Sequence, residues 1–264
     1  KSIFEKLSYL DSLENYEGYF LYTNFIPIKI DQIEKLFELK KLINFGISIY
    51  GHDLDTFIKF SGGTNNAYNK LIENLKYLKK FLDKKNTQFN LSISHRTEKN
   101  FDINKKTNEL LKPIKEILNI SNTDYEKNSE FNNWGNIIKR NDIKDLNINF
   151  NDKKIRKIGS CSLIYSRLIV GANGIVNACA CRDANFSLRI GDVNKNKIKD
   201  IISLKNKKYK ELIERQEKND FPAVCASCDF YRSIYRKNFP TWVLKKEQSR
   251  THRLSEVKNI LSKR

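Results

Sequence analysis

Hydrophobic and polar positions in the first half of the chain follow two patterns in turn, which predict strands and helices. Short apolar runs are typical of buried strands, and segments with apolar residues at spacings of three and four are typical of amphipathic helices. The predicted strands are residues 18–25, 45–51 and 88–94, and the predicted helices are residues 31–43, 65–82 and 107–120. Because strands separated by helices of this length pair in parallel through right-handed crossovers, this half predicts an α/β sheet or barrel.

The pattern changes in the second half of the chain. Residues 120–158 are rich in Asn, Asp and Lys, show little helical periodicity and predict a connection. A hairpin is predicted next, because two apolar runs, 163–170 and 175–181, flank a Gly-Ala-Asn-Gly turn. Two further helices are predicted at residues 200–218 and 255–264.

Length and composition predict a folded, soluble protein. The chain has 264 residues, of which 39% are hydrophobic, and this supplies enough apolar surface for one or two cores. It contains no long apolar run and no export signal, so we expect a cytoplasmic protein without a membrane partner. The sequence starts at Lys1 and contains no Met, so we expect a fragment or a processed form.

The net charge of +18 raises the question of nucleic-acid binding. A nucleic-acid groove needs clustered cations that neutralise phosphates. Here the lysines are spread over every predicted helix. We therefore expect solvated lysine faces and no nucleic-acid partner.

All five cysteines lie between residues 161 and 228, and their number and spacing favour metal binding over disulfides. Cys225 and Cys228 form a C-x-x-C knuckle, and the predicted hairpin returns Cys161 and Cys179 to one end. Cys181 faces the same way as Cys179, so it could replace or neighbour it. Four thiolates suit zinc or an iron-sulfur cluster, and spacing does not separate the two. The alternative is a set of buried thiols that act as small hydrophobic residues.

The cysteine region resembles the twitch or short SPASM domain that follows the barrel in many radical S-adenosylmethionine (radical SAM) enzymes. The resemblance rests on GANGIVNACACRD at the turn, LRIGDVNKNKIKDII after it and FPAVCASCDFYR at the knuckle. The first half is similar to the partial barrel of these enzymes through LYTNF, with Phe25 replacing the usual Gly, and GISIYGHDLD, with Tyr50 replacing the usual Asp. Trp134 in NNWGN resembles the Trp-Gly found between the two domains in many relatives.

This resemblance implies an α/β fold in which the C-terminal part of a partial (β/α)6 TIM-like barrel precedes a small β-hairpin plus helix domain. The implied domains are the barrel, from about its third strand, at residues 1–150, the SPASM/twitch domain at 151–240 and a helical tail at 241–264. The implied site residues are Cys161, Cys179, Cys225 and Cys228 for an auxiliary [4Fe–4S] cluster, and Ser48 and Arg96 for SAM. His52 and His95 stand at comparable strand ends, where we expect local hydrogen bonding.

The sequence departs from the family where SAM is cleaved, because it has neither the C-x-x-x-C-x-x-C loop nor the Gly-Gly-Glu segment. We expect the intact enzyme to carry a second [4Fe–4S] cluster there and to take electrons from a donor such as flavodoxin or ferredoxin. It would then cleave SAM and abstract hydrogen from a peptide or a carbohydrate (sugar or cyclitol) substrate, whereas the fragment alone would be inactive. Two alternatives stay open: a four-cysteine zinc module for RNA or protein contact, and a degenerate family member without SAM chemistry.

Overall fold

The computed structural model describes residues 3–84, 87–151 and 155–235. These residues form two compact units, each with its own hydrophobic core. The first unit contains residues up to 130 together with 145–149, and the second contains the remaining described residues. In the described part of the chain, no helix is both long enough and apolar enough to cross a membrane.

A parallel sheet forms the centre of the first unit. The elements are α1 (Ile3–Ser12), β1 (Tyr19–Thr23), α2 (Ile30–Leu36), β2 (Leu42–Tyr50), α3 (Leu54–Ser61), α4 (Asn65–Leu82), β3 (Asn90–Arg96), α5 (Leu111–Ile120) and β4 (Thr123–Asn128). The strands lie in the order β1-β2-β3-β4, and every neighbouring pair is parallel. The predicted α/β fold with parallel pairing is confirmed.

One face of this sheet carries the core. Phe45, Ile47 and Ile49 of β2 and Leu91 and Ile93 of β3 are all buried, whereas the residues between Ile47 and Ile49 and between Leu91 and Ile93 are half-buried. This period of two places one side-chain set on each face. The buried set packs with the apolar stripe of α4, whose predicted limits are confirmed. Burial of each such side chain contributes roughly 1.5–3 kcal/mol.

The loop after β1 shows how an unusual residue is accommodated. Phe25 has a φ of 62°, in the left-handed region that favours Gly, which is the residue usual in the resembled family. Its ring is fully buried and lies 5.7 Å from the ring of Phe45. Asn74, also fully buried, donates from Nδ2 to the carbonyls of Phe25 at 2.8 Å and Ile28 at 3.1 Å. The polar side chain from α4 therefore holds the strained loop in place.

Three limits predicted from the sequence differ from the structure of the first unit. The helix predicted for 31–43 ends at Leu36, because its last apolar residues begin β2. Helix α5 begins at Leu111 rather than 107, with Pro113 in its first turn, where a missing N–H costs little. Strand β4 lies inside the predicted connection 120–158, since its sequence TDYEKN is polar and gave no apolar run.

The second unit contains short elements. They are a 3-10 turn (Arg140–Ile143), α6 (Leu163–Ser166), β7 (Ile169–Val170), β8 (Ile175–Asn177), β9 (Arg189–Asp192), α7 (Ile198–Ile201), α8 (Lys207–Glu217) and α9 (Ala223–Ser227). Strands β5 (Glu130–Asn132) and β6 (Asn149–Asn151) pair with each other, and each has its first residue in the first unit and its other two in the second. Strands β7, β8 and β9 form a small antiparallel sheet. The predicted hairpin is thus present, with a third strand beside it.

The hairpin strands are shorter than predicted. Residues Leu163–Ser166 form a helical turn instead of strand, and the second strand ends at Asn177. A short apolar run does not distinguish a strand from a buried helical turn, which explains the error. The helix predicted for 200–218 is divided into α7 and α8. The predicted helix 255–264 and tail 241–264 lie outside the described residues.

Candidate metal centre

All five cysteines border one cavity of the second unit. Their thiols are free, and the remaining lining is mostly apolar, with Leu163, Ile164, Leu188, Val224, Phe230 and Tyr231 among it. The structure therefore brings together the thiols that the sequence predicts to converge. No three His, Cys, Asp or Glu side chains among the described residues are grouped as a site for a single metal ion.

Backbone pairing places Cys161 at this cavity. The N–H of Ser162 donates to the Arg232 carbonyl at 2.7 Å, and the N–H of Ile234 donates to the Ser160 carbonyl at 3.1 Å. These bonds align the segment around Cys161 antiparallel to the segment that follows the C-x-x-C knuckle. Main-chain hydrogen bonds thereby bring together two segments that lie more than sixty residues apart in the sequence.

Helix α8 supports the same segment with two polar side chains. Gln216 is fully buried; its Oε1 accepts the Cys161 N–H at 2.8 Å, and its Nε2 donates to the Cys225 sulfur at 3.3 Å. Glu217 accepts the Ser160 N–H at 2.7 Å. One glutamine therefore links two cysteines from distant parts of the chain.

Sequence reasoning missed Gln216, although a signal was present. Tyr209, Leu212 and Ile213 form the buried stripe of α8, and Gln216 continues that stripe seven residues after Tyr209. A polar residue on an apolar stripe needs a hydrogen-bond partner inside the protein.

The hairpin turn and the knuckle position the other thiols. Gly174 has a φ of 85° in the turn, and Cys179 follows β8 after Ala178, whose N–H donates to the Leu188 carbonyl at 3.0 Å. Cys225 lies on α9, and Cys228 follows three residues later, a spacing that puts both on one side of a helical turn. The hairpin and the helical turn therefore present sulfurs to the same cavity.

Burial dominates the electrostatics of these thiols. It raises the pKa of Cys161 and of Cys225 to about 12, and it also raises the pKa of Cys228 and Cys181. Thiolates in such a place need a positive partner, because desolvation disfavours the anion. A bound metal group supplies that charge and displaces the protons.

The thiols also act on one another. After burial, neighbouring thiols further raise the pKa of Cys161, Cys225 and Cys228, and Cys179 raises the pKa of Cys181. The five thiols therefore belong to one site.

Arg182 closes one side of the cavity. Its guanidinium carbon lies 4.9 Å from the ring centroid of Trp134 and 4.4 Å from that of Phe230, and its Nη1 donates to the Cys181 carbonyl at 2.9 Å. Its Nε is buried and has no hydrogen-bond partner among the described residues. A buried donor without an acceptor is costly. At a cavity lined by thiols, a sulfur-rich group would provide the acceptor, so these residues fit an iron-sulfur cluster.

The loop that carries Trp134 is under backbone strain. Trp134, Gly135 and Asn136 have φ values of 46°, 68° and 75°, so three successive residues are left-handed. A Cβ at Gly135 would lie 2.6 Å from the Arg182 carbonyl oxygen. Only Gly therefore allows the loop to approach Arg182 this closely.

Ser48 and Arg96 lie in the first unit, on one face of the parallel sheet. Ser48 is paired in register with Ser94, and Tyr50 with Arg96, near the carboxyl ends of β2 and β3. The Arg96 guanidinium carbon lies 5.4 Å from the Tyr50 ring centroid. Both predicted SAM contacts are half-buried and share the face opposite the core.

The two histidines near these strand ends are held by local hydrogen bonds. His95 Nε2 donates to the Gly51 carbonyl at 2.7 Å, and its Nδ1 accepts from the Tyr125 hydroxyl at 2.9 Å. His52 Nδ1 is 2.9 Å from the Thr97 hydroxyl. Local hydrogen bonding, as expected from the sequence, accounts for both rings.

Comparison with known protein families defines the class of this site. Residues 161–229 match the model of an iron-sulfur cluster-binding domain, and that domain is SPASM. The matched segment starts at Cys161, includes all five cysteines and ends just after Cys228. No curated protein matches the chain. The second unit therefore contains a segment that matches the SPASM domain, and this match indicates binding of an iron-sulfur cluster.

Proposed function

We propose that Cys161, Cys179, Cys225 and Cys228 hold one [4Fe–4S] cluster and that Cys181 is not a ligand. The observation that carries this assignment is the convergence of the thiols on one cavity inside the SPASM segment, where Gln216 bonds both the Cys161 N–H and the Cys225 sulfur. When bound, such a cluster exchanges single electrons at a potential set by its surroundings.

The surrounding groups have the right chemistry to support reduced sulfur. Gln216 Nε2 donates to the Cys225 sulfur, and the Phe230 N–H donates to the Cys228 sulfur at 3.3 Å. Hydrogen bonds from the backbone of Arg232 and Leu163 lower the pKa of Cys161 against the larger effect of burial. Such donors stabilise added negative charge and raise the potential of a cluster, while the apolar walls exclude water.

We further propose that this domain serves a radical SAM reaction on a peptide or carbohydrate substrate. The proposal is supported by the order of the two units, a parallel α/β sheet followed by a SPASM domain, and by Ser48 and Arg96 on one sheet face. On this proposal, the sheet belongs to a partial barrel, and a donor such as flavodoxin or ferredoxin supplies electrons. SAM cleavage needs a further cluster on a C-x-x-x-C-x-x-C loop, which these 264 residues do not contain.

Anaerobic reconstitution with iron and sulfide tests the cluster assignment. We expect about four iron and about four sulfide per chain, as for one [4Fe–4S] cluster. The matched pair is Cys179→Ser and Cys181→Ser: the first should lose the cluster, and the second should retain it with an unchanged spectrum.

Two outcomes would contradict this assignment. One is a colourless protein that holds zinc and no sulfide, which would make the centre a structural zinc site. The other is the reverse behaviour of the two variants, which would make Cys181 the ligand in place of Cys179.

A further inference from the structure

A larger pocket of the second unit also reaches the C-x-x-C knuckle. Its volume is about 670 Å³, which lies within the roughly 300–1,000 Å³ typical of small-molecule sites. Ala226, Ser227 and Cys228 form part of its wall, and Cys228 also borders the thiol cavity. A molecule in this pocket would therefore touch a proposed cluster ligand.

Among the described residues that line this pocket, the charged ones are all cations. They are Lys139, Arg140 and Lys157, and the described lining contains no carboxylate. Asp142 accepts the Lys139 N–H at 2.8 Å but does not line the pocket. Lys157 Nζ donates to the Ile155 carbonyl at 3.3 Å. Among the described residues, neither lysine forms an ion pair. Lys157 Nζ also lies 6.0 Å from the Tyr231 ring centroid. Each ammonium group has three donors, so one hydrogen bond to a carbonyl leaves others for an anion.

The rest of the wall is apolar or aromatic. Ile138, Phe150 and Phe221 contribute to it, and such surfaces suit the body of a small organic molecule. Asn136 and Asn219 also line the pocket, and both hold left-handed backbone conformations, with φ values of 75° and 61°.

We infer that this pocket binds a small organic anion with an aromatic or aliphatic body. Lys139 and Lys157 recognise its phosphate or carboxylate group, and the phenyl rings cover its body. The pocket itself does not depend on what the thiols hold. Only the contact with a cluster, through Cys228, rests on the proposed function.

Calorimetric titration of the reconstituted protein tests the pocket, with phenyl phosphate and phenylacetate as probes and 2-phenylethanol as the neutral analogue. We expect at least one anion to bind and the alcohol not to bind; the anion preferred identifies a phosphate or a carboxylate ligand. Lys139→Met together with Lys157→Met should weaken binding about tenfold or more. The control is Lys195→Met with Lys199→Met, which removes equal charge from exposed positions outside the pocket.

Equal weakening in the two double variants would overturn the inference, because attraction by the overall charge would then explain the binding. Absence of binding by both anions would also overturn it. If the double variant does not fold, Lys139→Glu alone provides the same test at an exposed position. In the cluster-loaded protein, the bound anion should change the electron paramagnetic resonance spectrum of the reduced cluster. Calorimetry measures anion binding whether the thiols hold a cluster or zinc. A negative result for the anion pocket is therefore distinguishable from a negative result for the cluster assignment.

Discussion

The side chain of Arg182 illustrates how much of this site depends on single residues. The guanidinium lies against two aromatic rings, where cation-π attraction holds it, and its Nε lacks an acceptor among the described residues. Its positive charge lies at the wall of the thiol cavity, where it favours negative charge on a group bound there. We therefore assign Arg182 to tuning of the cluster rather than to its attachment.

Replacement of Arg182 by Gln should lower the midpoint potential of the cluster by an amount on the order of tens of millivolts, because a positive charge and a donor are lost. Cluster content should stay near that of the wild type, since no ligand is removed. Arg182→Lys retains the charge without the planar stacking group and should show a smaller shift. A redox titration monitored by electron paramagnetic resonance measures these values, and equal potentials in all three proteins would refute the assignment.

Among the helices and strands, α8 positions the cysteine segments of the second unit, and the ends of β2 and β3 position the histidines of the first. Helix α8 links the segment of Cys161 to Cys225 through Gln216. In the first unit, His95 at the end of β3 links the end of β2 to β4 through Gly51 and Tyr125. Its ring also lies 5.0 Å from the Phe101 ring, centroid to centroid. The pKa of His95 is lowered to about 4, mainly by burial and in smaller part by the neighbouring His52, against the opposite effect of the Gly51 hydrogen bond.

This pKa predicts acid sensitivity of the first unit. An unfolded histidine takes up a proton near pH 6.5, whereas folded His95 does so only near pH 4. Its contribution to stability is therefore complete above pH 6.5 and is lost as the pH falls from about 6.5 to about 4, a change of about 3 kcal/mol. The pKa of His52 is also lowered, mainly by burial, and acts in the same direction.

Urea denaturation at pH 7 and at pH 4.5 measures this dependence. His95→Gln keeps a donor but cannot take up the proton, so its free energy of unfolding should be lower at pH 7 and less dependent on pH. An equally steep pH dependence in this variant would show that other groups control the acid response.

Two properties of the whole chain, its net charge and its number of cysteines, determine what the sites can be expected to bind. The net charge of +18 attracts anions to the protein in general and does not identify a particular site. The test of the anion pocket therefore needs control variants that remove the same charge elsewhere. The five cysteines suffice for one four-thiolate cluster. The face with Ser48 and Arg96 belongs to the first unit and holds no cysteine.

The number of cysteines leads to a prediction about binding and cleavage of SAM by these 264 residues. The cluster-loaded protein with a reductant should form no 5′-deoxyadenosine, because it lacks the second set of thiolates. Equilibrium dialysis should still detect weak SAM binding, which Arg96→Met should reduce about tenfold through loss of a carboxylate partner. Arg189→Met, on β9 in the second unit, is the control and should leave SAM binding unchanged. Formation of 5′-deoxyadenosine would contradict the need for a second cluster. Equal SAM affinity in the wild type and in Arg96→Met would contradict the role of Arg96 as a SAM contact.

The sequence predicted the elements with strong periodicity and missed those without it. Helix 65–82 has a continuous apolar stripe, and its limits agree with the structure. Strand β4 has a polar sequence and is a strand because β3 offers it parallel hydrogen bonds. Residues 163–166 are apolar but helical, since the chain must turn after Cys161 pairs with the segment near Ser233. Local sequence patterns therefore predict secondary structure where buried residues recur with a regular period. They fail where the conformation depends on hydrogen bonds to a distant part of the chain.

Periodicity and residue spacing were enough to predict the α/β class of the first half, the hairpin and a group of thiols suited to a metal centre. The three-dimensional fold was needed to show that Gln216 and Arg182 border the cavity of the thiols and that Cys228 also borders a basic pocket. Burial, hydrogen bonds and charge act between residues that are distant in the chain, and their distances in space are not written in the sequence.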